Sequence, residues 1–172
     1  MTAPLLGAAL DVDYAADGSA RAALVAFSDW TDAAPALTRV VTVDRVAPYE
    51  PGAFYKRELP CLRAVLDVLD ALPAVLVVDG YVWLRDDADP GLGAHLWHAL
   101  GGRCAVVGVA KTRFAAAGCA AAVLRGQSHN PLWVTAAGMS LDEAAARVRA
   151  MHGPYRIPTL LGRVDALARG RG

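Results

Sequence analysis

The sequence predicts an α/β fold, a central mixed sheet of five or more strands flanked by helices, and three observations carry that prediction. The first third holds three short strand-like segments joined by hairpin-length connections. From Glu58 onward, helical and strand patterns alternate, which implies parallel pairing. Two segments, AVLVVD and CAVVGVA, are almost continuously apolar, as strands covered on both faces must be.

Gly7–Tyr14 is the first strand, apolar until its acids, and Ala20–Phe27 is the second, with Asp17-Gly18 supplying the positive φ of a tight turn. Val40–Val46 is the third, followed by a loop punctuated by Pro48, Pro51 and Gly52. Glu58–Leu72 reads as a helix because Leu62, Val65, Leu66, Leu69 and Leu72 recur at three- and four-residue spacing. Pro60 then belongs in its first turn and Pro73 stops it. Ala74–Asp79 is a central strand, Gly91–Leu100 a short helix and Cys104–Ala110 a second buried strand. Ala121–Leu124 and Leu132–Ala136 are shorter strands. Ser140 opens a helix to about Met151 through the capping box Ser140-Leu-Asp-Glu143, and a last amphipathic helix covers Leu160–Ala168. No repeat, linker or low-complexity block interrupts the order, so 1–172 is expected to be one domain.

Composition narrows the function. Seventeen Lys+Arg against seventeen Asp+Glu give zero net charge, and 55% of the 172 residues are hydrophobic. That excludes disorder, which needs low hydrophobicity and high net charge. No apolar run reaches the ~18–20 residues of a membrane span. The start lacks a basic region ahead of its apolar residues, so no secretory leader is expected. Cys61, Cys104 and Cys119 are odd in number and none forms a CxxC pair, which argues for a reducing, cytoplasmic setting and against a zinc ribbon. Electrical neutrality argues against a uniformly basic nucleic-acid binder. A monomer is favoured.

The acids are the informative residues. Asp11 lies in the first strand and Asp79 closes the fourth; a carboxylate at the end of a buried strand is costly unless it is paired or binds a cation. Alone, each reads best as a strand-end turn cap. With Glu58 on the first helix, the three carboxylates can converge, and convergent hard oxygens with room for water suit Mg²⁺, with Mn²⁺ as a substitute. Asp13 shares the face of Asp11 and is an auxiliary candidate. Lys111 ends the strand expected beside that of Asp79, where it either pairs with a carboxylate or holds a phosphate or the attacking water.

These residues resemble a family. Leu10-Asp11-Val12-Asp13-Tyr14, then Pro48-Tyr49-Glu50-Pro51-Gly52, Arg57-Glu58-Leu59-Pro60, Val78-Asp79-Gly80 and Gly108-Val109-Ala110-Lys111 are similar in order and spacing to endonuclease V. Arg125 through Val134 and Gly153 through Asp165 extend the likeness, which runs from about Gly7 to Asp165. The resemblance implies an RNase H-like fold and Mg²⁺-dependent cleavage 3′ to a deaminated base, inosine, in DNA or RNA. By position it makes Asp11, Glu58 and Asp79 the metal ligands and Lys111 the residue near the scissile phosphate. Asp165 matches a late acid and Tyr49 the wedge that holds strands apart beside a flipped base, with Gly80 and Gly108 lining the base pocket.

The chain departs from that pattern in a consistent direction. Asp-Gly-His-Gly reads Asp79-Gly80-Tyr81-Val82, His-Pro-Arg-Arg corresponds to the acidic Arg85-Asp86-Asp87-Ala88-Asp89, and Gly-His reads Gly138-Met139. Thr-Arg falls on Leu161-Gly162, and Glu50 places a negative charge in the wedge. Basic and imidazole groups that would face nucleic acid are lost while the carboxylates stay. Two alternatives therefore stand beside an inosine endonuclease: a diverged nucleic-acid-binding module with weak or no cleavage, and an RNase H-like nuclease for branched or flap substrates. His95 and His98, three apart on the Gly91–Leu100 helix, read as core or cap residues, His129 and His152 lack a ligand-spaced partner, and the tryptophans read as packing residues with Trp83, just after Asp79-Gly80, the exception. Arginines 147, 149, 156, 163, 169 and 171 crowd the C-terminal portion, where a solvated face or phosphate contacts would use them.

Overall fold

The computed structural model describes residues 4–85, 89–114 and 118–171. Among them, seven strands form one mixed sheet in the order β3-β2-β1-β4-β7-β9-β8. The strands are β1 (Gly7–Tyr14), β2 (Ala20–Phe27), β3 (Leu37–Val43), β4 (Val75–Asp79), β7 (Ala105–Ala110), β8 (Ala121–Val123) and β9 (Leu132–Ala137). β1, β4 and β7 run parallel, and the other pairs are antiparallel. The mixed sheet expected from the sequence is therefore present.

Two helical layers explain why the central strands are apolar without interruption. On one face Leu10, Leu24, Leu76, Val78 and Val106 pack with Leu62 and Val65 of α1 (Phe54–Leu66) and Leu96 of α2 (Leu92–Ala99). On the other, Ala9, Val25, Val77, Val107 and Val109 pack with Val148 of α3 (Leu141–Ala150) and with Leu160 and Val164 of α4 (Thr159–Ala168). Neighbouring residues of a strand alternate between the two layers, so both parities must be apolar. Ser140 caps α3 as predicted, its hydroxyl accepting from the Glu143 amide.

Two expectations need correcting, and one element is new. β3 lies three residues earlier than Val40–Val46, because the hairpin pairs Ala20 with Val43 and Ala26 with Leu37. The first helix is Phe54–Leu66, not Glu58–Leu72, so Pro60 falls inside it rather than in its first turn. Leu69 and Leu72 still pack against the α1 layer, but from a turn, which is why the helical periodicity ran past the helix end. A small hairpin, β5 (Trp83–Arg85) with β6 (Asp89–Pro90), was not anticipated. Asp86 and Asp87 of the acidic segment lie outside the described residues, while Asp89 is ion-paired with Arg85.

Candidate active site

The site forms where the parallel strands end. Asp11 follows Ala9, Asp79 follows Val77 and Lys111 follows Val109 by two residues, so all three project from the face covered by α4. The register pairs Leu10 with Val78 and Asp79 with Val109, which sets Asp11 level with Asp79 and Lys111 two residues beyond. Asp165 of α4 completes the group: Asp11, Asp79, Lys111 and Asp165 line one pocket, walled by Val109, Leu132, Ile157, Leu161 and Val164. Carboxyl ends of parallel strands are where sheets of this class place their ligands.

Glu58 arrives from the opposite layer. It lies on α1, yet the charges of Asp11 and Asp79 are felt at its carboxyl, so it reaches over the strand ends towards them. Burial and those two neighbours push it up to about 7. Burial, reinforced by the charges of Asp79 and Asp165, also pushes Asp11 up to about 7, against an opposing hydrogen bond from the Val12 amide. Asp79 is raised as well, by loss of water, with the Lys111 ammonium pulling it back. Lys111 Nζ stands 3.8 Å from Asp79 Oδ2. Asp165 is held by Arg169 Nε at 3.2 Å.

Such a set fits a divalent cation better than it fits its own neighbours. All donors are hard carboxylate oxygens, and burial, with mutual repulsion added, raises the proton affinity of Asp11, Glu58 and Asp79, a cost that a cation relieves. Among the described residues, no group of three or more His, Cys, Asp or Glu side chains stands close enough together to hold a metal ion by itself. Mg²⁺ does not need one, since it keeps several waters and takes one or two carboxylates together with substrate phosphate oxygens.

The other predicted positions are spread around this centre. Asp13 is exposed, opposite Arg21 of β2. Tyr49 is exposed in the loop before α1, edge-to-face with Phe54 at 5.3 Å. Gly80 has φ +122° and open space where a side chain would be. Gly108 does not: a Cβ there would meet the Gly80 carbonyl oxygen at 2.5 Å and Thr135 Oγ1 at 2.8 Å, so its bareness lets the turn after β4 lie against β7. Trp83 donates from Nε1 to the Ala136 carbonyl and His95 stacks on Tyr55 at 3.5 Å, both packing roles.

Two arginines that build the site were not singled out as site residues. Arg125 is buried, and its guanidinium donates to the carbonyls of Met151, Gly153, Tyr155 and Arg156, fixing the loop that leads into α4. Arg156 donates to the carbonyls of Lys111, Asn130 and Pro131, tying that loop to the end of β7. The sequence carried little signal for them: Arg125 follows β8, a three-residue edge strand in which Val123 alone is buried. Of the other C-terminal arginines, Arg147 pairs with Glu143 and Arg169 with Asp165.

Known proteins share this fold. The family model described as Endonuclease V matches residues 4–122. An endonuclease V of Streptomyces avermitilis is 33% identical over 178 residues, covering 84% of this chain and 76% of the relative. A crystal structure of endonuclease V from that organism superposes with a TM-score of 0.76 at 28% identity, over 98% of this chain and 83% of the other. An endonuclease V of Ciona intestinalis, solved with a 24-mer DNA containing an inosine followed by a ribo-adenosine, superposes with a TM-score of 0.80 at 20% identity, over 95% and 84% of the two chains. The shared architecture is the RNase H-like fold.

Proposed function

This chain belongs to the endonuclease V family and is a nuclease, and from that premise we propose that it cuts a phosphodiester on the 3′ side of inosine in DNA or RNA, with Mg²⁺ as its cofactor and Mn²⁺ as a substitute. The observation that carries the reading is the meeting of Asp11, Asp79, Asp165 and Lys111 in one pocket, with Glu58 on α1 near enough to feel the charges of Asp11 and Asp79. Relatives supply the base: the Ciona enzyme was captured on inosine-containing DNA.

In this reading Asp11, Glu58 and Asp79 hold the cation, and Asp165 assists from α4. When bound, the cation supplies Lewis acidity, polarising a phosphoryl oxygen and acidifying the attacking water. Lys111 then binds a non-bridging phosphate oxygen, a role for which its ammonium is free on the side away from Asp79. Water adds to phosphorus as the bond to the leaving sugar oxygen breaks, and the negative charge that builds on the phosphoryl oxygens faces Lys111. The apolar wall of Ile157, Leu161 and Val164 lowers the local dielectric, which strengthens each of these charge contacts. Tyr49 serves as the wedge, exposed and braced on Phe54. Gly80, with nothing beside it, leaves room for an extruded base, while Gly108 lets the Gly80 turn sit where the base would enter.

The chain is read as one folding unit, since α4 near its end packs on the same sheet face as β1 and β2 near its start. No helix among the described residues is long and apolar enough to cross a membrane. Cys61, Cys104 and Cys119 are free thiols, in keeping with the cytoplasm.

The deciding experiment is a panel of inosine-containing DNA, inosine-containing RNA, their undamaged counterparts and an undamaged flap, each with Mg²⁺, Mn²⁺ or EDTA. Cleavage 3′ to inosine that EDTA abolishes is the expected result. Tight binding without product in any metal would support a binding module instead, and preferential cutting of the flap a structure-specific nuclease.

A further inference from the structure

Tyr81, which stands where the family pattern has a histidine, spans from the turn after β4 to the turn after β7. Its phenol donates to the Thr112 carbonyl and accepts from the Phe114 amide, both at 2.8 Å. A hydroxyl can do both at once, whereas a residue such as phenylalanine could do neither. The ring lies 6.1 Å from that of Phe114.

The strut is rigidly footed. On one side of Tyr81 the Gly80 amide donates to the Val109 carbonyl at 3.0 Å. On the other, the Val82 amide donates to the buried Thr135 hydroxyl at 2.8 Å. The foot therefore rests on β7 and β9, in the core of the sheet, while the hydroxyl holds a turn on the surface. That turn is Lys111-Thr112-Arg113-Phe114, and every residue in it has a partner outside the turn. Arg156 takes the Lys111 carbonyl, Tyr81 the Thr112 carbonyl and the Phe114 amide, and the Arg113 guanidinium lies over the Trp133 ring at 5.3 Å.

A lysine on a free strand end samples many positions, because its four-carbon stem adds to the motion of the backbone beneath it. Fixing the backbone on both sides removes that second source of motion, and the Lys111 ammonium stays near Asp79 Oδ2 at the pocket. We propose that Tyr81 is a positioning residue of the nuclease, its phenol locking the turn after β7 so that Lys111 meets the phosphate in one fixed pose. This rests on the nuclease reading above. It also gives the departure from the family pattern a physical content: an imidazole is exchanged for a longer side chain whose tip binds the lysine turn.

The test is Tyr81→Phe, which keeps the ring and its packing and leaves the two freed backbone groups to water. Single-turnover cleavage of inosine-containing strands is measured in a cycle with Lys111→Met. Tyr81→Phe is expected to lower the cleavage rate about tenfold with KM unchanged. The loss should largely vanish in the Lys111→Met background, because there is no ammonium left to misplace. Amide exchange at Phe114 should accelerate in Tyr81→Phe while core amides of β4 and β7 keep their protection. An equal loss in both backgrounds, an unchanged rate, or an unchanged Phe114 amide would each overturn the proposal. A wild-type chain that cleaves no inosine substrate would sink the inosine reading itself, and with it this role. An active wild type with an unaffected Tyr81→Phe sinks the positioning role alone.

Discussion

Lys111 Nζ lies 3.8 Å from Asp79 Oδ2, across the ends of two parallel strands whose register places Asp79 beside Val109. Both groups are roughly half exposed, so the pair contributes little to stability and its consequence is orientation. Asp79→Ala is expected to lower metal-dependent cleavage about a thousandfold, and Lys111→Met about a hundredfold. Neither should shift the melting temperature by more than a few degrees. Rates for both variants with equal melting curves check this; an Asp79→Ala protein that cleaves normally would remove Asp79 from the metal site.

The raised carboxylates give the stability a pH dependence with a definite sign. Asp11 moves from an ordinary 3.8, and Glu58 from 4.5, each to about 7. Between those limits the folded chain holds protons that the unfolded chain has released, so the fold loses stability as pH rises through the window. In EDTA the protein should melt about 5 °C higher at pH 5 than at pH 8. Mg²⁺ at pH 8 should recover most of the difference, and Asp11→Asn should flatten the profile. Thermal melts across pH 5–8 with and without Mg²⁺ decide it, and a melting temperature that climbs with pH in EDTA is the contrary outcome.

Arg125 holds four carbonyls of the 151–156 loop from a buried position. Arg125→Met keeps the length of the side chain and strands those acceptors, at an expected cost of about 3 kcal/mol in urea unfolding. Because the same loop delivers Arg156 to the Lys111 carbonyl, activity should fall further than stability does. A loss under about 0.5 kcal/mol would mean that water replaces the guanidinium without penalty.

Tyr49 separates binding from folding. It is 56% exposed and rests on Phe54, so Tyr49→Ala should change stability by less than about 0.5 kcal/mol. If it wedges a duplex, cleavage of inosine duplex should drop about tenfold while single-stranded inosine substrate is cut as before, since only the duplex needs a base removed from its stack. Equal losses on both substrates would make Tyr49 a general contact instead.

The amino-acid sequence by itself determined most strands of the main sheet, the two-faced core and the position of Asp79 at a strand end. Continuous apolar runs such as VLVV demand cover on both faces, and a carboxylate that breaks such a run must lie where the strand leaves the core. Lys111 was legible for the same reason, one residue beyond β7. Local pattern also misled where it had no access to termination: Leu69 and Leu72 keep helical spacing although α1 ends at Leu66. Tertiary structure alone decided from which side each partner of these acids arrives, and it brought in the two arginines. Glu58 comes from the layer opposite α4, Asp165 from a helix near the end of the chain, and Arg156 from a loop held by Arg125. Each of these approaches joins residues tens of positions apart, and charge and hydrogen-bond partnership at that separation leaves no periodic trace in a sequence. Tyr81 is the clearest case: as a residue it reads only as a substitution, and as a strut it becomes the link between Gly80 and Lys111.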